Sequence, residues 1–331
     1  GYNFVLFYDM NYDWLKFKKY PHIGKPLDKK KDSGWVKRYV MSPEKIAKHK
    51  FVPLIHRTIG QRKFRPSEDA AKGKNGKRLR TVGDKKNRYI FFASHLDSII
   101  YSYYSYLLTQ AYENYLRDKP YGKVAVAYRK IPIGHGKSGN KCNIEFAYEA
   151  FEFIENNKHR ELSIIVADVS SFFDNLDHRL LHTQWKRVLQ TDDLPEDHYT
   201  IYKNLRSKRY VNENELFNRF KNKLIVERNK PNETSQKELK RKHVSKIYNL
   251  RHEKVVGFCD TDEFLAEATD LIRVDKPNNE AIRKERGKEP LKGIPQGIPI
   301  SATLANIYML DFDERVYNAA IVSTRNAYYE R

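Results

Sequence analysis

An aspartate, Asp168, ends the apolar run Ser163–Ala167 within ELSIIVADVSSFFDNLDH, Glu161 to His178. The run reads as a buried strand; two aromatics and a helix start, Asp174 to Leu181, follow it. A carboxylate at the C-terminal end of a strand, where pairing stops and a cleft can open, is placed to ligate a metal ion. The same position also suits a plain turn or cap residue.

A second stretch, LKGIPQGIPISATLANIYMLDFDERV from Leu291 to Val316, joins a Gly/Pro-rich loop to an amphipathic helix from about Ser301 to Val316, with Ser301 as its expected N-cap. Cations gather upstream in KGKNGKRLRTVGDKKNR, Lys72 to Arg88, a polar hairpin candidate with Gly83-Asp84 as turn material. A guanidinium there could fork onto phosphate oxygens. Arg129 lies on an expected strand from Gly122 to Ile131, and Lys137 lies in GHGKSGNKCN before a helix from about Asn143 to Asn156. Gly136-Lys137-Ser138 has the end of a phosphate-cradling loop, but Ile131 stands where that motif needs its first glycine. A basic turn near a nucleic-acid phosphate, or a plain surface loop, fits better.

Together the two stretches resemble motifs A and B of reverse transcriptases, especially the bacterial enzymes of group II introns, retrons and abortive-infection or defence-associated systems. The resemblance implies roles residue by residue. Asp168 would be the first metal-binding aspartate and the catalytic carboxylate, and the Val169 carbonyl a backbone metal ligand. Phe173 would be the bulky gate under the sugar. Pro295, Gln296 and Gly297 would form the turn that packs against the incoming nucleotide and template. Arg80 and Arg88 would hold the triphosphate, with Lys77 and Arg78 as nearest rivals; Lys77, Arg78, Arg129 and Lys137 would contact nucleic acid. The implied activity is RNA-directed DNA polymerisation by two Mg2+ ions, with dNTPs as substrates, an RNA template and a DNA product. The group also implies anti-phage defence, a noncoding RNA or partner protein, and homo-oligomers as possible company. Alternatives are a non-catalytic nucleic-acid-binding protein on a polymerase scaffold, and template-independent or protein-primed DNA synthesis.

The family carries its other two metal-binding carboxylates in a Tyr-x-Asp-Asp hairpin after motif B. No such tetrapeptide occurs here; the sequence reaches NAYYER at Arg331. Two divalent ions about 4 Å apart need roughly three carboxylates in reach. Polymerisation is therefore expected of a full-length form rather than of these residues alone.

These groups must be held by a fold. The resemblance implies an α+β right-hand polymerase, with an antiparallel palm sheet backed by helices and helix-rich basic fingers. The expected divisions are an N-terminal layer (1–61), fingers (62–160), palm with motif A (161–190), a helical insertion (191–289) and palm with motif B (290–331). Within the insertion, helical patterns run over Glu213–Ile225, Gln236–Arg251 and Asp262–Arg273, and Lys237–Lys246 is basic enough to line a nucleic-acid path or to form a solvated helix face. Ala93–Leu116 reads as a long helix with a broad apolar and tyrosine-rich face.

Composition agrees with a polyanion binder: 62 Lys+Arg against 42 Asp+Glu give a net charge of +20. No apolar run approaches the length needed to span a bilayer, and no secretory signal is evident, so a membrane role is not expected. Cys142 and Cys259 are far apart and lack metal-ligand spacing, which fits inert thiols in a reducing, cytoplasmic compartment.

Overall fold

The computed structural model describes residues 13–61, 64–66, 73, 75–77, 80–82, 86–134, 138–230, 233–274, 292–322, 327–329 and 331. Along them run β1 (His22–Ile23), α1 (Lys29–Val40), α2 (Pro43–Ala47), β2 (Leu54–Gln61), β3 (Phe64–Pro66), β4 (Arg80–Val82), β5 (Lys86–Phe92) and α3 (His95–Leu116). Then come α4 (Asn143–Asn156), α5 (His178–Leu189), α6 (Glu196–Ser207), β6 (Arg209–Asn212), α7 (Glu213–Phe220), β7 (Leu224–Lys230) and β8 (Glu233–Lys242). Last are β9 (Val255–Cys259), α8 (Thr261–Glu267), β10 (Arg273–Val274), α9 (Ser301–Tyr308) and α10 (Leu310–Val316). The class is mixed α+β.

Helix α3 is the axis of the larger core. Ser94 caps it by accepting from the Asp97 amide, and Ile99, Ile100, Tyr104 and Leu108 are buried along one side. Asp97 is buried and still fully used: His49 Nε2 lies 2.8 Å from one oxygen and the Val52 amide donates to the other at 3.0 Å. Helix α5, started by Asp177 accepting from the Leu180 amide, buries Leu181, Trp185 and Val188 against the same core. It is also tied to α10: its Gln184 and Arg187 both donate to Asp311 of that helix. The Ser301–Val316 helix is broken at Met309 into α9 and α10. Ser301 does not cap it; its hydroxyl donates back to the Pro295 carbonyl at 2.6 Å, closing the preceding loop.

Two four-stranded sheets, both of mixed direction, run in the orders β1-β9-β7-β8 and β10-β6-β2-β5. In the first, β1 pairs in parallel with β9; in the second, β2 pairs in parallel with β6 and antiparallel with β5. Residues of the expected N-terminal layer thus share backbone ladders with residues of the expected insertion, so the sequence divisions at 61 and 191 cut through hydrogen-bonded sheets.

Several expected elements differ. Gln236–Arg251 is no helix: Glu233–Lys242 forms a strand, despite its helix-favouring Glu, Lys and Leu, because it pairs with β7, whose Leu224, Ile225 and Val226 are buried. Glu213–Ile225 divides into α7 and the start of β7, and Asp262–Arg273 into α8 and a short 3-10 turn. Gly122–Ile131 is a chain of turns, with Tyr128 in the left-handed region. Ser163–Ala167 forms no strand among the described residues. Ile164, Ile165 and Val166 are 65%, 90% and 91% exposed, since a strand persists only where a neighbour takes up its backbone groups and side chains.

At the meeting of α3 and β1, His22 and His95 stack ring on ring with centroids 3.6 Å apart. The His95 amide donates to His22 Nδ1, and His95 Nε2 lies 2.9 Å from the Tyr20 carbonyl. Burial lowers the pKa of both imidazoles, that of His95 to about 4.

Candidate active site

The loop Lys292–Gly297 is the joint of the site. On one side the Gly293 amide donates to the Leu176 carbonyl and the Ile294 amide to the Phe173 carbonyl, both at 2.8 Å. His178 Nε2 completes that side, 2.7 Å from the Gly293 carbonyl. On the other side the Phe91 amide of β5 donates to the Gln296 carbonyl at 2.8 Å. Six residues thus stitch the segment after Asp168 to the strand that carries Arg88.

The two glycines make this closeness possible. Gly293 has φ +85°, and a Cβ there would sit 2.6 Å from the Asp174 carbonyl oxygen. Gly297 has φ +107°, and its Cβ would lie 2.8 Å from the Phe91 carbonyl oxygen and 2.7 Å from an Ile90 methyl. Both positions need a residue without a side chain, for backbone angle and for space.

Asp168 is exposed, in an irregular segment that ends in a tight turn with Ser171 at φ +50° and a 3-10 turn over Phe172–Asp174. Val169 is 58% exposed. Phe173 is half-buried, edge-on to Phe172, with its carbonyl held by Ile294. The structure therefore brings Phe173, Pro295, Gln296 and Gly297 into one hydrogen-bonded assembly, and Asp168 lies five residues before Phe173 in the exposed segment. Pro295 is buried and Gln296 half-buried.

The proposed cations are scattered. Arg88 is exposed on β5, opposite Ile59 of β2. Arg80 belongs to β4, paired to β3 through Pro66, and Lys77 is an exposed loop residue. Arg78, Lys137 and the Gly83-Asp84 turn lie outside the described residues. Arg129 is committed elsewhere: it donates to both oxygens of Glu113 and to the carbonyls of Gly122 and Ala125, bracing the turn after α3. Four of its five donors are so engaged in structural bonds, which leaves one for the nucleic-acid contact expected of it. Much of the basic run in β8 is likewise matched: Lys237 pairs with Glu227, Arg241 with Glu263 and Lys242 with Glu253.

Sequence reasoning missed Lys208. It is 6% exposed, its ammonium lies 3.8 Å from an Asp174 carboxylate oxygen, and it sits over the Phe91 ring at 5.1 Å. It thus touches both elements that the loop joins. Nothing in its local sequence marks it, because its burial arises from partners distant in the chain.

Among the described residues no group of three or more His, Cys, Asp or Glu side chains gathers as a metal site. Asp168 with the Val169 carbonyl offers one carboxylate, short of the donor set that two Mg2+ ions require. The described residues on their own do not fit that pair of ions.

The chain matches no model of a known protein family, and a search of curated proteins finds no match.

Proposed function

We propose that this chain is the fingers and part of the palm of a right-hand RNA-directed DNA polymerase. The observation that carries the proposal is the double attachment of Lys292–Gly297, to Phe173 through Ile294 and to β5 through Gln296. In such an enzyme the nucleotide lies between a metal-bearing aspartate, an aromatic under its sugar and a loop that supports its base, with fingers cations over its phosphates. Asp168, Phe173, Gln296 and Arg88 occupy segments joined in that order. The net charge of +20 favours a polyanionic template and product.

Bound Mg2+ would supply activation of a 3'-hydroxyl and neutralisation of the leaving phosphate. One carboxylate is too few for this, so the reading applies to a polypeptide or assembly that brings at least two more to Asp168. The chain's own residues contribute position. Phe173 crowds the sugar, the glycine-hinged loop fixes the nucleotide's floor, and Arg88 offers a planar fork to phosphate.

Extension of a primer on an RNA template with dNTPs and Mg2+, using the complete protein, tests this. Asp168→Asn should abolish extension, and Phe173→Ala should raise ribonucleotide incorporation. Full extension by Asp168→Asn, or equal sugar discrimination by the Phe173→Ala protein, removes the corresponding assignment.

A second reading, a nucleic-acid-binding protein that has kept the scaffold without the chemistry, is favoured by the single carboxylate. Template and primer bound tightly with no extension by the complete protein would select it.

A further inference from the structure

Between the two sheets lies a cleft of about 910 Å³ that contains none of Asp168, Phe173 or Gln296. Its walls come from β2, the start of α7, the Ile247–Val256 turn and the Lys19–Pro21 segment entering β1. Two carboxylates face it, and both are engaged: Glu213 grips Arg57 with both oxygens, and Glu227 pairs with Lys237 at 2.7 Å. Three exposed cations remain, Lys19, Arg251 and Lys254, and among the described residues none has a carboxylate within ion-pair reach. Beside them Tyr248 presents its ring, 72% exposed.

Two of the three cations sit on a fixed platform. The turn carrying Arg251 and Lys254 closes through Glu253 N to Asn249 O at 2.8 Å, Lys254 N to Arg251 O at 3.1 Å and Val255 N to Leu250 O at 2.9 Å. Lys254 is in the left-handed region, φ +52°, and its carbonyl accepts from the Glu227 amide, which welds the turn to β7. A concave wall with uncompensated positive charge and an exposed aromatic ring, with the Lys246 ammonium 5.7 Å from its centroid, matches an unpaired nucleic-acid strand: cations on successive phosphates, a base stacked on the ring's open face. A duplex has no free base face to offer Tyr248. A lone nucleotide would want a nest of amides, and the helix N-terminus here is already closed by Asn212 accepting from the Asn214 and Glu215 amides.

We infer that this inter-sheet cleft binds single-stranded RNA or DNA, with Lys19, Arg251 and Lys254 on phosphates and Tyr248 under a base. The site stands apart from the Asp168 reading and gives the Asp192–Pro290 stretch a task of its own.

The test is fluorescence anisotropy of the 331-residue chain with a labelled oligouridylate of about 12 nucleotides across a salt series. Arg251→Gln/Lys254→Gln should flatten the log K against log salt slope by about 1.4 and weaken binding about 25-fold at 0.1 M salt, at roughly 0.7 per phosphate contact. Tyr248→Ala should weaken it at least about fivefold. The matched pair Lys29→Gln/Lys30→Gln, exposed on α1, should change affinity less than about threefold. An equal loss in that pair would mean bulk charge and overturn the site, as would unchanged binding in the cleft variants. Displacement of the oligonucleotide by equimolar ATP would also overturn it in favour of a mononucleotide pocket. Asp168→Asn should bind the oligonucleotide as the unaltered chain does, so this site and the polymerase reading fail separately.

Discussion

Protonating either of the stacked imidazoles, His22 or His95, puts a charge into the core beside another ring. Their folded-state pKa values lie below the unfolded value of about 6.5, so the neutral forms contribute full stability above that pH. Stability is then lost as pH falls toward the folded values. For His95, lowered to about 4, the loss between pH 6.5 and 4 should approach about 3 kcal/mol. Urea midpoints at pH 7.5, 6 and 5 should therefore decline steadily, and His95→Phe should flatten the decline. An unchanged pH profile in that variant would move the sensitivity elsewhere. A second prediction concerns the loop glycines: Gly293→Ala and Gly297→Ala should each cost about 1–3 kcal/mol, from an unfavourable backbone angle plus contact with a neighbouring carbonyl. Thermal melting measures this, and an unshifted midpoint would deny the tight approach.

Among elements, those whose signal is local were legible in the sequence. Ala93–Leu116 carries its own cap and apolar side and forms α3 almost as read; Asn143–Asn156 forms α4 at the expected bounds. The Gly/Pro-rich loop before Ser301 was also visible, since glycines at positive φ leave a compositional mark. Elements decided by distant partners were not. Glu233–Lys242 has a helical composition and becomes a strand through β7, and Lys208 is buried by Asp174 and Phe91. The segment before Asp168 was misread in the opposite sense: its β-branched residues favour a strand, but no described neighbour pairs with it. Its bare Ile164, Ile165 and Val166 offer a template for another extended segment. The 331-residue chain should accordingly self-associate with rising concentration, and Ile165→Lys should suppress this without lowering the melting temperature. Sedimentation velocity is the check, and association at the unaltered level in Ile165→Lys would exonerate the segment.

At the scale of the whole molecule, the stretch 191–289 is structural fabric. It supplies β6, which lies between β2 and β10, and the β7 and β9 strands against which β1 and β8 pair. Excising Asp192–Pro290 should abolish cooperative unfolding as followed by circular dichroism; a retained sharp transition would mean that the remainder folds alone. The same interweaving bears on how the molecule moves. Because Lys292–Gly297 is fastened to β5 at Gln296 and to the Asp168 side at Ile294, it works like a connecting rod. A displacement of β5 is relayed through this rod to the Phe172–Asp174 turn, whose Phe173 carbonyl the Ile294 amide holds.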